Sequence, residues 1–147
     1  MDVDDEDFQQ DLADVELYEA GLRVRNDVMG ELFVDRALSR TKGTDSAELQ
    51  RFITETVWGA SWTRPGLDRR SRSLMNIGML IALRSSDELS GHVRGALRNG
   101  LSRSEICEAV IHAVGYCGAP AALSAMSVVQ KVLDAELGPL LAGPDAQ

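Results

Sequence analysis

Two tetrapeptides constrain this chain more than anything else in it. In Ser102-Arg-Ser-Glu105 and Asp45-Ser-Ala-Glu48, a residue that can accept from first-turn amides is followed three positions on by Glu, the form of a capping box that opens a helix. Glycine and proline supply the stops. Gly30 ends a helix read over residues 15–29. Gly59 and Pro65-Gly66 break the segment that starts at Asp45, so its helix, with a stripe of Leu49, Phe52, Ile53, Thr56 and Val57, ends near Trp58. Asp68 is placed to cap a helix over residues 69–83 whose second half is apolar all round, a pattern expected of a helix buried in a bundle or an oligomer interface. Ser86 opens a helix over 87–99 with Gly100 as its C′ residue. Gly118 stops the helix begun at Ser102 near Tyr116, and Pro120 suits the first turn of a last helix to about Leu137. No segment alternates polar and apolar residues over a useful length. The expected fold class is all-α, about six helices with short links.

A chain of 147 residues suffices for one domain with one core, read here over residues 17–137. Residues 138–147, with two Pro and two Gly, are expected to fray. Residues 1–16 hold eight acids and no base, so this segment accounts for the whole formal charge of −8 and reads as a flexible acidic leader. The other residues hold 15 acids and 15 bases, unevenly: between Arg64 and Arg103 eight arginines face only Asp68, Asp87 and Glu88. That excess suits a small anion, although arginines pointing into water explain it as well. No nucleic-acid or membrane partner is expected, since the longest apolar run, residues 77–83, is far too short to span a bilayer. The N-terminus has no basic start and apolar run, and two cysteines make no disulfide framework, which points to the cytoplasm.

On the helix from Ser102, Glu105, Glu108, His112 and Tyr116 fall in one narrow sector, and Ile106, Val110, Ala113, Val114 and Cys117 in another. The polar row can transfer protons or can be a solvated face in which Glu105 serves only the cap. The two histidines lie on different helices without ligand spacing, so no metal site is expected. His92, beside Arg94 in the arginine-rich stretch, is either functional or a packed, hydrogen-bonded residue. Cys107 and Cys117 are too far apart on one helix to join. Cys117, close to the start of the next helix, is either a thiol of lowered pKa or a small core residue. Trp58, Trp62 and Arg64 can clamp a flat carboxylate ligand, and a buried helix junction accounts for both tryptophans equally well.

Several ordered blocks carry a resemblance. Tyr18-Glu-Ala-Gly-Leu-x-Val-Arg25, Glu55-x-x-Trp58-Gly-x-x-Trp62-x-Arg64-Pro-Gly-Leu-Asp-Arg-x-x-Arg72-Ser-Leu, His92-Val-Arg-Gly-Ala-Leu-Arg-Asn-Gly100, Glu105-Ile-x-Glu108 and Tyr116-Cys-Gly-Ala-Pro-Ala-Ala122 together resemble the γ-carboxymuconolactone decarboxylase family. The resemblance implies an alkylhydroperoxidase D-like helical bundle assembled as a homotrimer or homohexamer. It also implies a cofactor-free carboxy-lyase that converts 4-carboxymuconolactone, a small anionic lactone, to 3-oxoadipate enol lactone and CO2 in protocatechuate degradation. On that basis His92 and Glu105 are the catalytic candidates. Trp58, Trp62, Arg64, Arg72, Arg94, Tyr116 and Cys117 are the substrate-binding ones. Action on a different carboxylated or cyclic acid, or a non-catalytic helical oligomer that binds a small ligand or partner, are the alternatives. A dithiol peroxidase is disfavoured because Cys-x-x-Cys is absent.

Overall fold

The computed structural model describes residues 3–140, with side chains from Gln10 onward except at positions 11 and 12. Met1, Asp2 and the part of the expected C-terminal tail beyond Leu140 lie outside the described residues. The described chain is all-α, with seven α-helices and one π-helical segment. Its contacts divide it into two compact units, Met1–Asp68 and Arg69–Gln147, a boundary that falls inside the stretch read as one helical domain.

The first unit holds α1 (Val3–Met29), α2 (Glu31–Thr41), α3 (Ser46–Ile53) and the π-helical segment Thr54–Ser61. α1 runs through the acidic stretch instead of beginning after it, and negative charge in the first turns of a helix complements the macrodipole. Gly30, at φ 90°, ends α1 where expected and lets α2 start at the next residue. α2 has no counterpart in the sequence reading. Its buried residues are Val34 and Ala37 alone, so it presents no long apolar stripe.

The helix from Asp45 also departs from expectation. Asp45 is helical and its side chain makes no capping bond. Thr44 takes that place: its Oγ1 accepts from the Ser46 amide at 3.3 Å and donates to the Thr41 carbonyl at 2.7 Å. Gly59 does not stop the helix, which continues as a π-helix to Ser61, and the Trp62 amide reaches back five residues to the Val57 carbonyl at 3.0 Å. The expected stripe is largely turned outward, with Leu49 57% and Phe52 61% exposed, while Thr54, Trp58 and Gly59 are buried. The cause is a backbone crossing. A Cβ on Gly21 would strike the Thr54 carbonyl and come within 2.7 Å of the Gly59 amide, and a Cβ on Gly59 would come within 2.5 Å of the Leu17 carbonyl. Only glycine at both positions lets α1 and the π-segment lie this close. The core beside the crossing is Val24, Val28, Met29, Val34, Trp58 and Trp62.

The second unit holds α4 (Arg69–Leu83), α5 (Ser86–Arg98), α6 (Arg103–Cys117) and α7 (Ala119–Leu137). α5 and α6 each pack on both α4 and α7 around one core that includes Ile77, Ile81, Val93, Ile106, Val110 and Val129. The links follow their local chemistry. Gly100, at φ 93°, forms a Schellman turn: its amide meets the Leu97 carbonyl at 3.1 Å, and the Leu101 amide meets that of Ala96 at 2.9 Å. Buried Leu101 then anchors the turn, and Ser102 and Glu105 close the expected capping box. Among the described residues no helix is long and apolar enough to cross a membrane.

Gly21→Ala and Gly59→Ala are each expected to lower stability by about 1–3 kcal/mol through steric conflict at the crossing. The urea midpoint at unchanged m-value measures this, and wild-type midpoints in both variants would mean that the crossing does not need glycine.

Candidate functional site

α4 distributes the polar residues of the second unit. Ser73, Ile77 and Ile81 face the core, one turn apart. At about 100° per residue, Arg72 and Asn76 project on one side of that core face, and Arg70, Leu74 and Gly78 on the other.

His92, on α5, meets the first of these sides. Its Nδ1 lies 3.5 Å from Nδ2 of Asn76. Leu89, Val93 and Ala96 hold α5 against the core, so the imidazole between them is half-buried. Burial pushes its pKa below the ordinary 6.5, partly opposed by the Glu88 carboxylate one turn earlier. At neutral pH the ring is therefore uncharged.

Glu105 meets the other side. Its Oε2 accepts from the Ser102 amide at 2.9 Å and its Oε1 pairs with the Arg70 guanidinium. The Ser102 amide first and then Arg70 hold its carboxyl below the usual carboxylate range. One oxygen accepts in the cap and the other from Arg70, which stabilises the ionised form and opposes its use as an acid. Glu105 lines a groove of about 390 Å³ with Arg70, Leu74, Gly78, Glu108 and His112. Three members of the row read from sequence, Glu105, Glu108 and His112, thus form one wall of an open groove, and the fourth, Tyr116, is 82% exposed with its ring 5.1 Å from that of His112. His92 and Glu105 consequently attach to opposite sides of α4.

Arg94 donates to Glu136 at 3.1 Å and to the Ser90 hydroxyl at 3.2 Å, tying α5 to α7. Cys117 and Cys107 are free thiols packed partly against the core of the second unit. Among the described residues no group of three or more His, Cys, Asp or Glu is arranged to hold a metal. In the first unit, Trp58 and Trp62 are 4% and 6% exposed and stack at 5.0 Å, so most of their surface goes to that unit's core. Arg64 is exposed after the π-segment. Two residues outside the sequence-derived set stand out. Asn76 touches His92 as described. Arg25 is 6% exposed and donates to Thr54 Oγ1 at 2.9 Å and to Gln50 Oε1 at 2.7 Å, with its pKa lowered by burial.

The family model for the carboxymuconolactone decarboxylase family matches residues 47–131. The chain is 45% identical over 118 residues to the nitrosuccinic acid decarboxylase npaB of Metarhizium robertsii, covering 80% of this chain and 82% of that protein. It is 40% identical to the 4-carboxymuconolactone decarboxylase of Acinetobacter baylyi, over 81% of this chain and 88% of the relative. The chain belongs to the carboxymuconolactone decarboxylase family. The stretch matched by the family model includes every site candidate from Trp58 to Cys117, and Asn76 as well. A signal for Asn76 was present in the sequence: it is the single amide in the run from Leu74 to Leu83, one turn after Arg72.

Glu105→Ala is expected to lower the melting temperature by a few degrees, because it removes the cap and the Arg70 pair, while turnover changes only a few-fold. A loss of turnover by orders of magnitude at unchanged stability would instead mark Glu105 as a proton-transfer group. For His92 the folded pKa lies below the unfolded one, so its neutral form contributes stability above the unfolded pKa that is lost as pH falls through the folded one. Urea titrations from about pH 7 to about pH 5 should show wild type losing stability faster than His92→Gln. Parallel pH dependences would mean that the ring is not buried in its neutral form.

Proposed function

We propose that this chain is a cofactor-free decarboxylase of a small dicarboxylic acid and that 4-carboxymuconolactone is its substrate. The observation that carries the reading is a half-buried, neutral His92 with Arg72 projecting on the same side of α4, in a chain 40% and 45% identical to two decarboxylases. A carboxylate leaves readily where its bonding pair can pass through a double bond to a carbonyl oxygen, as in an unsaturated lactone whose carboxylate sits on the saturated carbon next to the double bond. The C–C bond breaks, CO2 departs, the oxygen takes the charge, and one proton finally adds to carbon. The protein then has to hold the anion and stabilise the oxygen, and an uncharged imidazole in a site of low dielectric does the second without being titrated first. Arg72 supplies charge for a carboxylate.

The 45% identical relative favours a second reading, a nitro-substituted dicarboxylic acid. There the bonding pair passes to nitro oxygens, so a donor beside the acceptor oxygen serves both substrates. Assembly into a trimer or hexamer is part of the proposal, supported by the exposure of Leu74, Met75, Met79 and Leu83 along α4. A cytoplasmic location is also proposed, supported by the free thiols.

Purified protein with EDTA, assayed for CO2 release, is expected to turn over 4-carboxymuconolactone, and His92→Gln to reduce kcat about 10²- to 10⁴-fold. Turnover of 2-nitrosuccinate alone would move the assignment to the second reading, and no release from either acid would remove the enzyme assignment.

A further inference from the structure

We propose that Asn76 is a positioning residue that keeps the proton of neutral His92 on Nε2. Nδ2 of Asn76 lies 3.5 Å from His92 Nδ1. An amide nitrogen donates and does not accept, so Nδ1 has to offer its lone pair. A neutral imidazole carries one proton, which then sits on Nε2, the nitrogen on the far edge of the ring from Asn76. Burial keeps the second proton off at neutral pH. Asn76 stands one residue before core-facing Ile77, and His92 one residue before core-facing Val93, so two packed helices fix the spacing of the pair.

This assignment rests on the decarboxylase reading for its consequence and not for its content. In the proposed reaction, His92 with its proton on Nε2 is a hydrogen-bond donor to the oxygen that gains charge. With the proton on Nδ1 it would offer that oxygen a lone pair, which repels. Asn76 therefore makes the ring an electrophile and not a base, while touching no reacting atom itself.

The ring nitrogens report the tautomer directly. The chain has two histidines, so a 15N-histidine sample of the full protein gives two side-chain spin systems, and His112→Gln assigns them. Wild type at neutral pH is expected to show an unprotonated Nδ1 and a protonated Nε2 at position 92. Asn76→Asp offers Nδ1 an acceptor and is expected to move the proton to Nδ1. It should lower kcat by about 10²-fold or more and leave KM within a few-fold, because a wrong tautomer spoils the chemical step and not the fit. Asn76→Leu should yield a mixture of tautomers. A wild-type ring protonated on Nδ1, or an Asn76→Leu protein with an unchanged tautomer, overturns the proposal, and the wild-type spectrum decides even where a variant does not fold. If His92→Gln keeps full turnover, the catalytic use of the ring fails while the spectra still settle the role of Asn76.

Discussion

The fifteen residues of α4 must satisfy three environments at once, and the second unit is arranged around that demand. Ser73, Ile77 and Ile81 need a dry core, and Ser73 can enter it because its hydroxyl accepts from Asn99 Nδ2 at 2.9 Å. That bond ties α4 to the C-terminus of α5, where the Schellman turn at Gly100 redirects the chain into α6. The position of α5 puts His92 against Asn76, and the entry into α6 puts Glu105 against Arg70. One helix thus separates the two titratable groups that sequence alone pairs as catalytic. It gives one of them a half-buried setting that keeps it neutral and the other a cap that keeps it charged.

What could be read from the sequence follows from where each signal resides. Gly100, Ser102, Glu105 and Gly118 act on backbone within a few residues of themselves, so the links on either side of α6 were legible, whereas the α4–α5 link was not: Ser85 and not Ser86 precedes α5, its side chain makes no capping bond, and Arg84 before it turns at φ 57°. The π-segment was not, because its cause is non-local. Gly59 looks like a stop until Gly21 and Leu17 are known to lie across it, and the widened turn then rotates the buried face away from Leu49 and Phe52. α2 was missed for the opposite reason, a helix that buries only Val34 and Ala37 having too little periodicity to announce itself. Among the site candidates, His92 was found by resemblance. Its amide neighbour was marked only as the single amide of an apolar run, and its pairing with His92 was hidden because a contact between helices leaves no spacing signature in either one.

The same split separates the chemistry of the two groups. Whether Glu105 caps or catalyses cannot be decided from the spelling Ser-Arg-Ser-Glu, which suits both. Two occupied oxygens and a depressed pKa favour the cap. His92 has the contrary environment: its pKa falls because the charged form is poorly solvated, so the neutral ring persists to lower pH than that of an exposed histidine. A neutral donor at an acceptor oxygen makes small demands on substrate identity. Relatives acting on acids as different as a muconolactone and a nitrosuccinate are compatible with one such scaffold, and discrimination between them has to come from the groups that hold the rest of the molecule.

Charge sharpens that last point. Along the sequence, eight arginines between Arg64 and Arg103 outnumber three acids and suggest a strongly cationic surface. In space, Arg70 pairs with Glu105, Arg94 with Glu136 and Arg103 with Asp134, all acids from beyond the stretch. These three guanidinium groups join helices of the second unit, so the excess counted along the sequence overstates the cationic field. An anion is then recognised less by a general field, which salt screens over about 8–10 Å, than by individual guanidinium groups at contact distance. Arg72 stands one turn before Asn76 on the side of α4 that meets His92. Under the proposed function, discrimination between a lactone and an open-chain nitro acid would turn on the span from that guanidinium to the ring nitrogen of His92, a length set by the helical register between Arg72 and Asn76 and by the packing of α5 on α4.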